Sequence, residues 1–371
     1  MKQTFPLKLS FTCIFFFSIY GLIFAENLVR TETWLILEQG NVAFDKGELG
    51  DALANAQKAQ NMHKEEIVSS VSILEKALSP AEIKKEGDDI QSVRTMLEKR
   101  EDTAAVEIVD SILQKYPSSF FGDSVQKMLE WLRKNEAYPE CDILTARVYE
   151  AEGEYDLAAE YYDTAWKNRD LFDIPDDSIT LAYRIADLAE RIGKYGIAED
   201  YLKKILETDP VFGKDALGSP TLQAMLRTLK TEKTIDKFFS LYRHDNFTGF
   251  KAMYTLAAFY YSKSGRAERA IDVAALAACT AMTWLIEGLQ KYDPAYVYSD
   301  LPDLLTRTGN YQELVDWAER NNLYQTLFLL AEILSDRGYR DQSVHLWTVM
   351  AMNSPDPDIA QLSKARLQTG S

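Results

Sequence analysis

One spacing of small, aromatic and glycine residues between positions 146 and 165 constrains the fold of this chain more than any other feature of the sequence. In chain order its residues are Ala146, Tyr149, Gly153, Tyr155, Ala158, Tyr162 and Ala165. Apolar residues that recur every three or four positions line one face of a helix. Small side chains let two helices approach to about 8–10 Å, and glycine turns the chain between them without a Cβ penalty. The spacing therefore predicts a pair of short antiparallel helices.

The same spacing recurs elsewhere in the chain. The next copy consists of Ala186, Ala189, Gly193, Tyr195, Ala198, Leu202 and Ile205, and further copies centre on Gly47 and Gly265. Looser copies surround Gly309 and Gly338, and a degenerate copy at 88–117 lacks the glycine. A single helix pair cannot bury its apolar stripe alone, so the recurrence predicts that neighbouring pairs stack.

These units resemble tetratricopeptide (TPR) repeats. The cleanest units are 139–210 and 250–280, and the looser ones are 33–60, 88–117 and 298–355. The resemblance implies an all-α fold over 26–371, a right-handed α-solenoid of stacked antiparallel helix pairs that forms a TPR-like superhelix. Gly193 and Gly265 are 72 residues apart, against about 34 in a regular array. This gap leaves room for an extra helix pair at roughly 220–230 and 232–242.

The first 25 residues predict export. Lys2 and Lys8 precede a short apolar run at 9–24, and Ala25 follows it. This is the layout of a secretory signal peptide, and the run is shorter than the roughly 20 residues of a spanning helix. Ile23 stands where a small residue is usual before a cleavage site, so an uncleaved anchor is the alternative. We expect a periplasmic or cell-envelope protein, of bacterial origin.

The charge of the chain narrows the class of partner. The formal net charge is −16, and such a chain repels phosphate backbones and anionic lipid surfaces. We therefore expect no nucleic-acid partner, and a cationic partner is easier to attract. The alternative is that the acidity only keeps a long repeat protein soluble.

No residue pattern for catalysis, a metal or a cofactor is present in the sequence. His63, His244 and His345 are far apart, and there is no Cys-x-x-Cys pair, glycine-rich phosphate loop or nucleophile elbow. We therefore expect neither an enzyme nor a bound cofactor. Cys141 and Cys279 lie in helical patterns among apolar neighbours, which predicts two small buried residues, although export would permit a disulfide.

The resemblance also implies a binding groove, because the first helix of each TPR pair lines the concave face. Counting from the glycine turns gives Ile143, Arg147 and Glu150, then Tyr183, Asp187, Glu190 and Arg191, and finally Thr255, Phe259 and Lys263. This mixture of aromatic, apolar and charged side chains suits a peptide or protein segment. The alternative for each residue is an ordinary solvated surface position. The Lys and Asn of the TPR clamp for C-terminal carboxylates are absent at Ile143, Arg147, Tyr183 and Asp187.

The leading hypothesis is therefore an exported TPR scaffold that binds a protein or peptide in the cell envelope, with a membrane protein among the possible partners. The alternative is a periplasmic ligand-binding or transporter-associated TPR-like protein, with a pocket built by the long segment between Gly193 and Gly265. The sequence leaves the oligomeric state open.

Overall fold

The computed structural model describes residues 33–77, 90–115, 125–207, 209–212, 219–262 and 267–369. Within these ranges the chain is helical and contains no strand, which confirms the prediction of an all-α fold. The signal-like segment 1–25, Lys263 and Gly265 lie outside the described residues. The chain divides into two compact units, Met1–Leu181 and Ala182–Ser371, which we call the N-terminal unit and the C-terminal unit.

The described helices of the N-terminal unit lie within 33–167. They are α1 (33–45), α2 (Leu49–Ala77), α3 (Ile90–Lys99), α4 (Thr103–Lys115), α5 (Val125–Lys134), α6 (Pro139–Glu152) and α7 (Tyr155–Lys167). A short 3-10 turn at Arg169–Leu171 follows α7.

The division between the units falls inside the next helix, α8 (Asp177–Arg191). The remaining described helices are α9 (Tyr195–Leu206), α10 (Pro220–Thr231), α11 (Asp236–Leu241), α12 (Phe250–Thr255), α13 (Ala267–Gln290), α14 (Leu301–Thr308), α15 (Gln312–Arg320), α16 (Leu323–Asp336), α17 (Arg340–Asn353) and α18 (Pro357–Thr369). A π-helix, Leu256–Tyr261, continues α12.

Left-handed turns separate the helices of the predicted pairs. Gly47, Gly153, Gly193 and Gly338 have φ between 73° and 83°, a conformation that glycine adopts without steric cost. In the degenerate copy the non-glycine residue Glu101 takes φ 58° between α3 and α4. The predicted helix pairs are therefore present at these turns.

Small residues bring α6 and α7 together. Ala146, Ala158 and Ala165 are fully buried, as is the ring of Tyr162. The Tyr162 hydroxyl donates to the Glu150 carboxylate at 2.9 Å, so the one polar atom of this buried ring has a partner. The spacing that predicted the pair thus corresponds to its contact face.

In the N-terminal unit α1 stacks beside α6, although α2 to α5 separate the two helices in sequence. Leu37 of α1 shares a core cluster with Tyr138 and Leu144, and Ala43 shares another with Val148. Residues near the start of α1 thus pack with residues near the start of α6, and residues near the end of α1 pack with residues further along α6. The two helices therefore run in the same direction, as the first helices of neighbouring pairs do in a stacked array.

The second half of α2 packs in a different cluster from the first half. Val71 and Leu74 lie with apolar residues of α3, α4 and α5, among them Val93, Val109 and Leu129. The degenerate copy at 88–117 is thus part of a small satellite bundle built on the C-terminal end of α2.

The C-terminal unit is built around α13. Among the described residues one helical stretch, Arg269–Gln290, is long and apolar enough to cross a membrane, and 83% of its most apolar window is buried inside the protein. It packs against α10, α12, α14 and α16, which makes it the core helix of this unit. The extra pair predicted in the long gap is present as α10 and α11. Ser219 caps α10 as its side chain accepts from the Leu222 N–H at 3.2 Å.

Candidate functional site

The predicted groove residues of the N-terminal unit lie on α6, where Arg147 faces α1. Its guanidinium donates to the Asn41 amide oxygen at 3.1 Å and lies 3.5 Å from the Asp45 carboxylate. The same group sits 4.1 Å from the centre of the Phe44 ring. The Arg147 side chain is only 20% exposed. It therefore joins two helices by a planar stack on Phe44 and a charge contact.

The other two groove residues of α6 differ from each other. Glu150 accepts the hydrogen bond of Tyr162 and is half-buried. Ile143 is half-buried as well. The polar members of this group thus hold the helices together, and Ile143 is its apolar member.

In the C-terminal unit Tyr183 of α8 binds the start of α12. Its hydroxyl donates to the Thr248 carbonyl oxygen at 2.6 Å and accepts from the Ala252 N–H at 3.1 Å. Burial raises the pKa of Tyr183 to about 12. The phenol is therefore neutral at physiological pH and serves as a hydrogen-bonding link.

Two further contacts join α8 to α12 and the π-helix that continues it, which together we call the α12 segment (250–261). Lys251 lies 3.1 Å from the Asp187 carboxylate, and both side chains are about half exposed, at 59% and 47%. Tyr260 in the π-helix donates to Glu190 at 2.7 Å. Tyr183 meets the start of the segment and Glu190 meets its end, so α8 and the α12 segment run in the same direction.

The remaining predicted groove residues of this unit face solvent to different degrees. Phe259 lies in the π-helix and is 55% exposed, whereas Leu256 and Tyr260 of the same π-helix are buried. Arg191 is exposed and Thr255 is half-buried. Phe259 adjoins Tyr260, whose partner is Glu190, so Phe259 and Arg191 lie near the same end of the two helices. We call Tyr183, Asp187, Arg191, Thr255 and Phe259 the α8–α12 surface.

A buried polar network in the C-terminal unit has the order hydroxyl, imidazole and carboxylate. The His244 ring lies 2.8 Å from the Thr280 hydroxyl through Nδ1 and 2.8 Å from the Asp209 carboxylate through Nε2. Asn246 also donates to Asp209 at 2.5 Å, and the N–H groups of Val211 and Phe212 donate at 2.8 and 2.9 Å. Although burial raises the pKa of Asp209, its hydrogen bonds and the His244 charge lower it to about 2.

This network has the order of a hydrolase triad, but its three side chains are buried. His244 is 4% exposed, Asp209 is 3% exposed and Thr280 is fully buried in the middle of α13. The Thr280 hydroxyl also lies 3.0 Å from the Leu276 carbonyl oxygen of the preceding helical turn. The network therefore fastens the segments around Asp209 and His244 onto the core helix.

Sequence reasoning noticed His244 but missed its partners. Thr280 and Asp209 are 36 and 35 residues away in sequence, and no periodic pattern connects them. The one available signal was Thr280, a polar residue between apolar runs of the sequence.

Among the described residues there is no group of three or more His, Cys, Asp and Glu side chains that could hold a metal ion. Cys141 and Cys279 are free and buried, as predicted. Burial raises the pKa of both thiols well above the usual range, so neither is a ready nucleophile.

Comparison with known proteins gives a family but no activity. No protein-family model matches the chain. An uncharacterized protein of Treponema pallidum (strain Nichols) is 32% identical to it over 355 residues, and the match covers 95% of each chain. The chain therefore belongs to the same family as this uncharacterized Treponema pallidum protein.

Proposed function

We propose that this protein is an exported, TPR-like scaffold that binds a protein or peptide partner in the bacterial cell envelope. The observation that carries the proposal is the α8–α12 surface, on which Phe259 is 55% exposed and Asp187 forms a half-exposed ion pair with Lys251. A surface that carries an exposed aromatic ring together with charged groups suits protein binding.

The proposed architecture is a right-handed α-solenoid of stacked antiparallel helix pairs. Its support is the same in each unit taken by itself. In the N-terminal unit α1 and α6 run in the same direction, with α2 and α7 as their second helices. In the C-terminal unit α8 and the α12 segment do so, linked by Tyr183 and Tyr260. First helices that stack in one direction are what a repeat array requires.

The proposed partner presents an apolar anchor and a basic segment. Phe259 offers a ring for an apolar side chain, and the net charge of −16 favours a cationic approach. The α8–α12 surface also has fixed contacts, since Tyr183 is hydrogen-bonded to the α12 segment, as is Glu190 next to Arg191. We expect the binding energy to come mainly from Phe259, because it is the more exposed of the two rings.

Localisation is part of the proposal. The basic start, apolar run and Ala25 of residues 1–25 support export to the periplasm or envelope. A membrane protein fits as partner in that compartment. No cofactor and no catalytic step enter the proposal.

The test is in-cell crosslinking of the tagged protein, with the captured partners identified by mass spectrometry. The informative variant is Phe259→Ala. The matched control is Leu241→Ala, because Leu241 lies in the same unit and is 57% exposed, close to the value for Phe259. We expect one or two defined envelope proteins that Phe259→Ala loses and Leu241→Ala retains.

Equal capture by both variants would contradict a binding role for this surface. Recovery of no specific protein would instead favour the alternative, a small-molecule binder beside a transporter. In the described part of the long segment, Phe238 and Phe239 of α11 are fully buried and belong to the core of the unit.

A further inference from the structure

A polar pocket in the N-terminal unit lies between α2, α6 and α7. Its volume is about 330 Å³, and its lining includes Gln57, Asn61, Asp142, Thr145 and Tyr161. This volume falls in the range of small-molecule sites. The pocket combines amide, hydroxyl and carboxylate groups, so it suits a small polar ligand rather than an apolar one.

Asp142 is the one carboxylate of this pocket. It is half-buried, and no hydrogen bond or ion pair joins it to another described residue. Burial raises the pKa of Asp142 to about 6. A half-buried carboxylate without a partner is partly desolvated, which costs some folding free energy, and an aspartate that serves only stability is normally paired. The fold therefore maintains Asp142 at a cost that a cationic ligand would offset.

The other walls of the pocket supply hydrogen-bond acceptors. The side-chain amides of Gln57 and Asn61 on α2 have no hydrogen bond to another described residue. Tyr161 of α7 stacks on Tyr149 with the ring centres 5.5 Å apart, which holds its ring in place at the pocket wall. An ammonium group has three donors and needs this kind of surrounding.

The pocket is separate from the α8–α12 surface and from the predicted groove of α6. With 3.6 residues per turn, Asp142 and Thr145 lie on a different face of α6 from Arg147 and Glu150. Asn61 also lines a second, open groove along α2, with a volume of about 680 Å³, bordered by Lys64, Glu65, Val68 and Ile73 among others. A ligand longer than the pocket therefore has room to continue along α2.

We propose that this pocket binds a primary ammonium group, with Asp142 as its counter-ion and the oxygens of Gln57, Asn61 and Tyr161 as hydrogen-bond acceptors. The ammonium group belongs either to a free diamine or to the lysine side chain of a peptide. The inference does not rest on the proposed scaffold function, because the pocket shares no residue with the α8–α12 surface.

The test is isothermal titration calorimetry of the full chain with three probes: cadaverine, Nα-acetyl-lysine-N-methylamide and the peptide Gly-Lys-Gly. The norleucine analogue of the second probe is the neutral control, and glutarate is the anionic control. We expect the amines to bind with a Kd on the order of 1 mM or below, and the two controls not to bind.

Asp142→Asn should weaken amine binding about ten-fold or more, because it removes the counter-ion. The same substitution should leave the thermal midpoint unchanged or raise it, since the buried charge has no partner to lose. Gln57→Lys is the second variant. Gln57 is exposed, so this change is safe for the fold and places a competing ammonium group at the pocket. Asp51→Asn is the matched control, because Asp51 is an exposed aspartate of α2.

The pH dependence of amine binding is a further test, and it depends on the titratable groups that face Asp142. Burial raises the pKa of the Cys141 thiol and of the Tyr161 hydroxyl, so both stay neutral between pH 5 and 8, and the α2 wall of the pocket contributes uncharged amides. Amine affinity should then fall about ten-fold from pH 8 to pH 5 as Asp142 takes up its proton.

Tighter binding of Gly-Lys-Gly than of cadaverine would assign the site to peptides, and the reverse order would assign it to free amines. Either result supports the ammonium site. Unchanged affinity in Asp142→Asn and Gln57→Lys would overturn it. Destabilisation by Asp142→Asn together with unchanged amine binding to Gln57→Lys would show that the carboxylate is structural.

Discussion

The two units of this protein are packed by different chemistry. In the N-terminal unit the buried polar residues among those described are the threonines Thr33 and Thr145, and the clusters around α1, α2 and α6 are mainly aliphatic. In the C-terminal unit the described buried residues include Glu199, Asp209, His244 and Asp356. The same helix-pair spacing thus supports two mainly apolar cores, of which the one in the C-terminal unit also buries carboxylates and a histidine. The two units should therefore respond differently to core substitutions and to pH.

The largest effect is expected from Asp209→Asn. This change replaces the buried carboxylate that contacts His244 Nε2 and weakens the hydrogen bonds from two backbone N–H groups. Each buried hydrogen-bonding group that loses its partner costs about 1–3 kcal/mol. Hydrogen–deuterium exchange, read on peptides of α13 and of 209–212, should show this loss in the C-terminal unit and little change in α1 and α6.

Asp187→Asn is the matched control, because Asp187 has a lysine partner in the same unit but is about half exposed. Surface pairs contribute about 0–1 kcal/mol, so this variant should exchange almost as the parent does. If Asp209→Asn behaves like Asp187→Asn, the buried network does not hold this unit together. Slow exchange in α13 would then have to come from its apolar contacts alone.

Local spacing predicted the helix pairs well because the forces behind it are local. The run from Ala146 to Ala165 identified α6, its turn at Gly153 and α7, and the small residues lie at the contact face. Gly309 is different, since its φ of −61° is right-handed. The polar network of His244 escaped prediction, because its partners come from segments that the fold brings together.

The candidate groove was predicted only at the level of helix faces. The register between neighbouring first helices decides whether Arg147 or Tyr183 points to solvent or to the next helix, and no local pattern encodes that register. The π-helix that presents Phe259 was also outside the reach of the sequence pattern, which predicted an ordinary helix there. The pocket around Asp142 depends on three helices and gave no sequence signal.

A second prediction concerns the close contact of α1 and α6. A Cβ added at Gly40 would lie 2.8 Å from Leu144 Cδ2 and 3.2 Å from Asn55 Cβ. Overpacking of this kind costs about 1–3 kcal/mol, whereas a helical Gly→Ala change by itself gains about 0.5–1 kcal/mol. Gly40→Ala should therefore destabilise the N-terminal unit by about 1 kcal/mol net, seen as faster exchange in α1 and α6.

Gly50→Ala should have the opposite effect and stabilise the N-terminal unit. Gly50 lies in α2, and a Cβ there would meet nothing within 4 Å, so this variant should gain the helix propensity and lose nothing. The pair separates packing from propensity within one unit. Stabilisation by both substitutions would mean that Leu144 yields without cost and that the apolar stack of this unit is looser than its burial indicates.

The smallest expected effect is the pH dependence of stability, which should differ in sign between the two units. Asp209 has a lowered pKa, so its contribution is complete above the ordinary pKa of aspartate and is lost as the pH falls through about 2. Asp142 has a raised pKa of about 6, so the folded N-terminal unit binds this proton more tightly than the unfolded chain does. Its stability should rise as the pH falls from about 6 towards 4, by on the order of 1 kcal/mol because solvent screens a half-buried carboxyl.

Urea unfolding between pH 7 and 2, with exchange followed in α6 and in α13, measures both signs in one protein. We expect α6 to become more protected on acidification and α13 to stay unchanged until the pH falls below about 4. Asp142→Asn should remove the rise in α6, while the exposed control Asp51→Asn should keep it. A rise that persists in Asp142→Asn would assign the proton to another group, and the unpaired carboxyl would no longer distinguish the N-terminal unit.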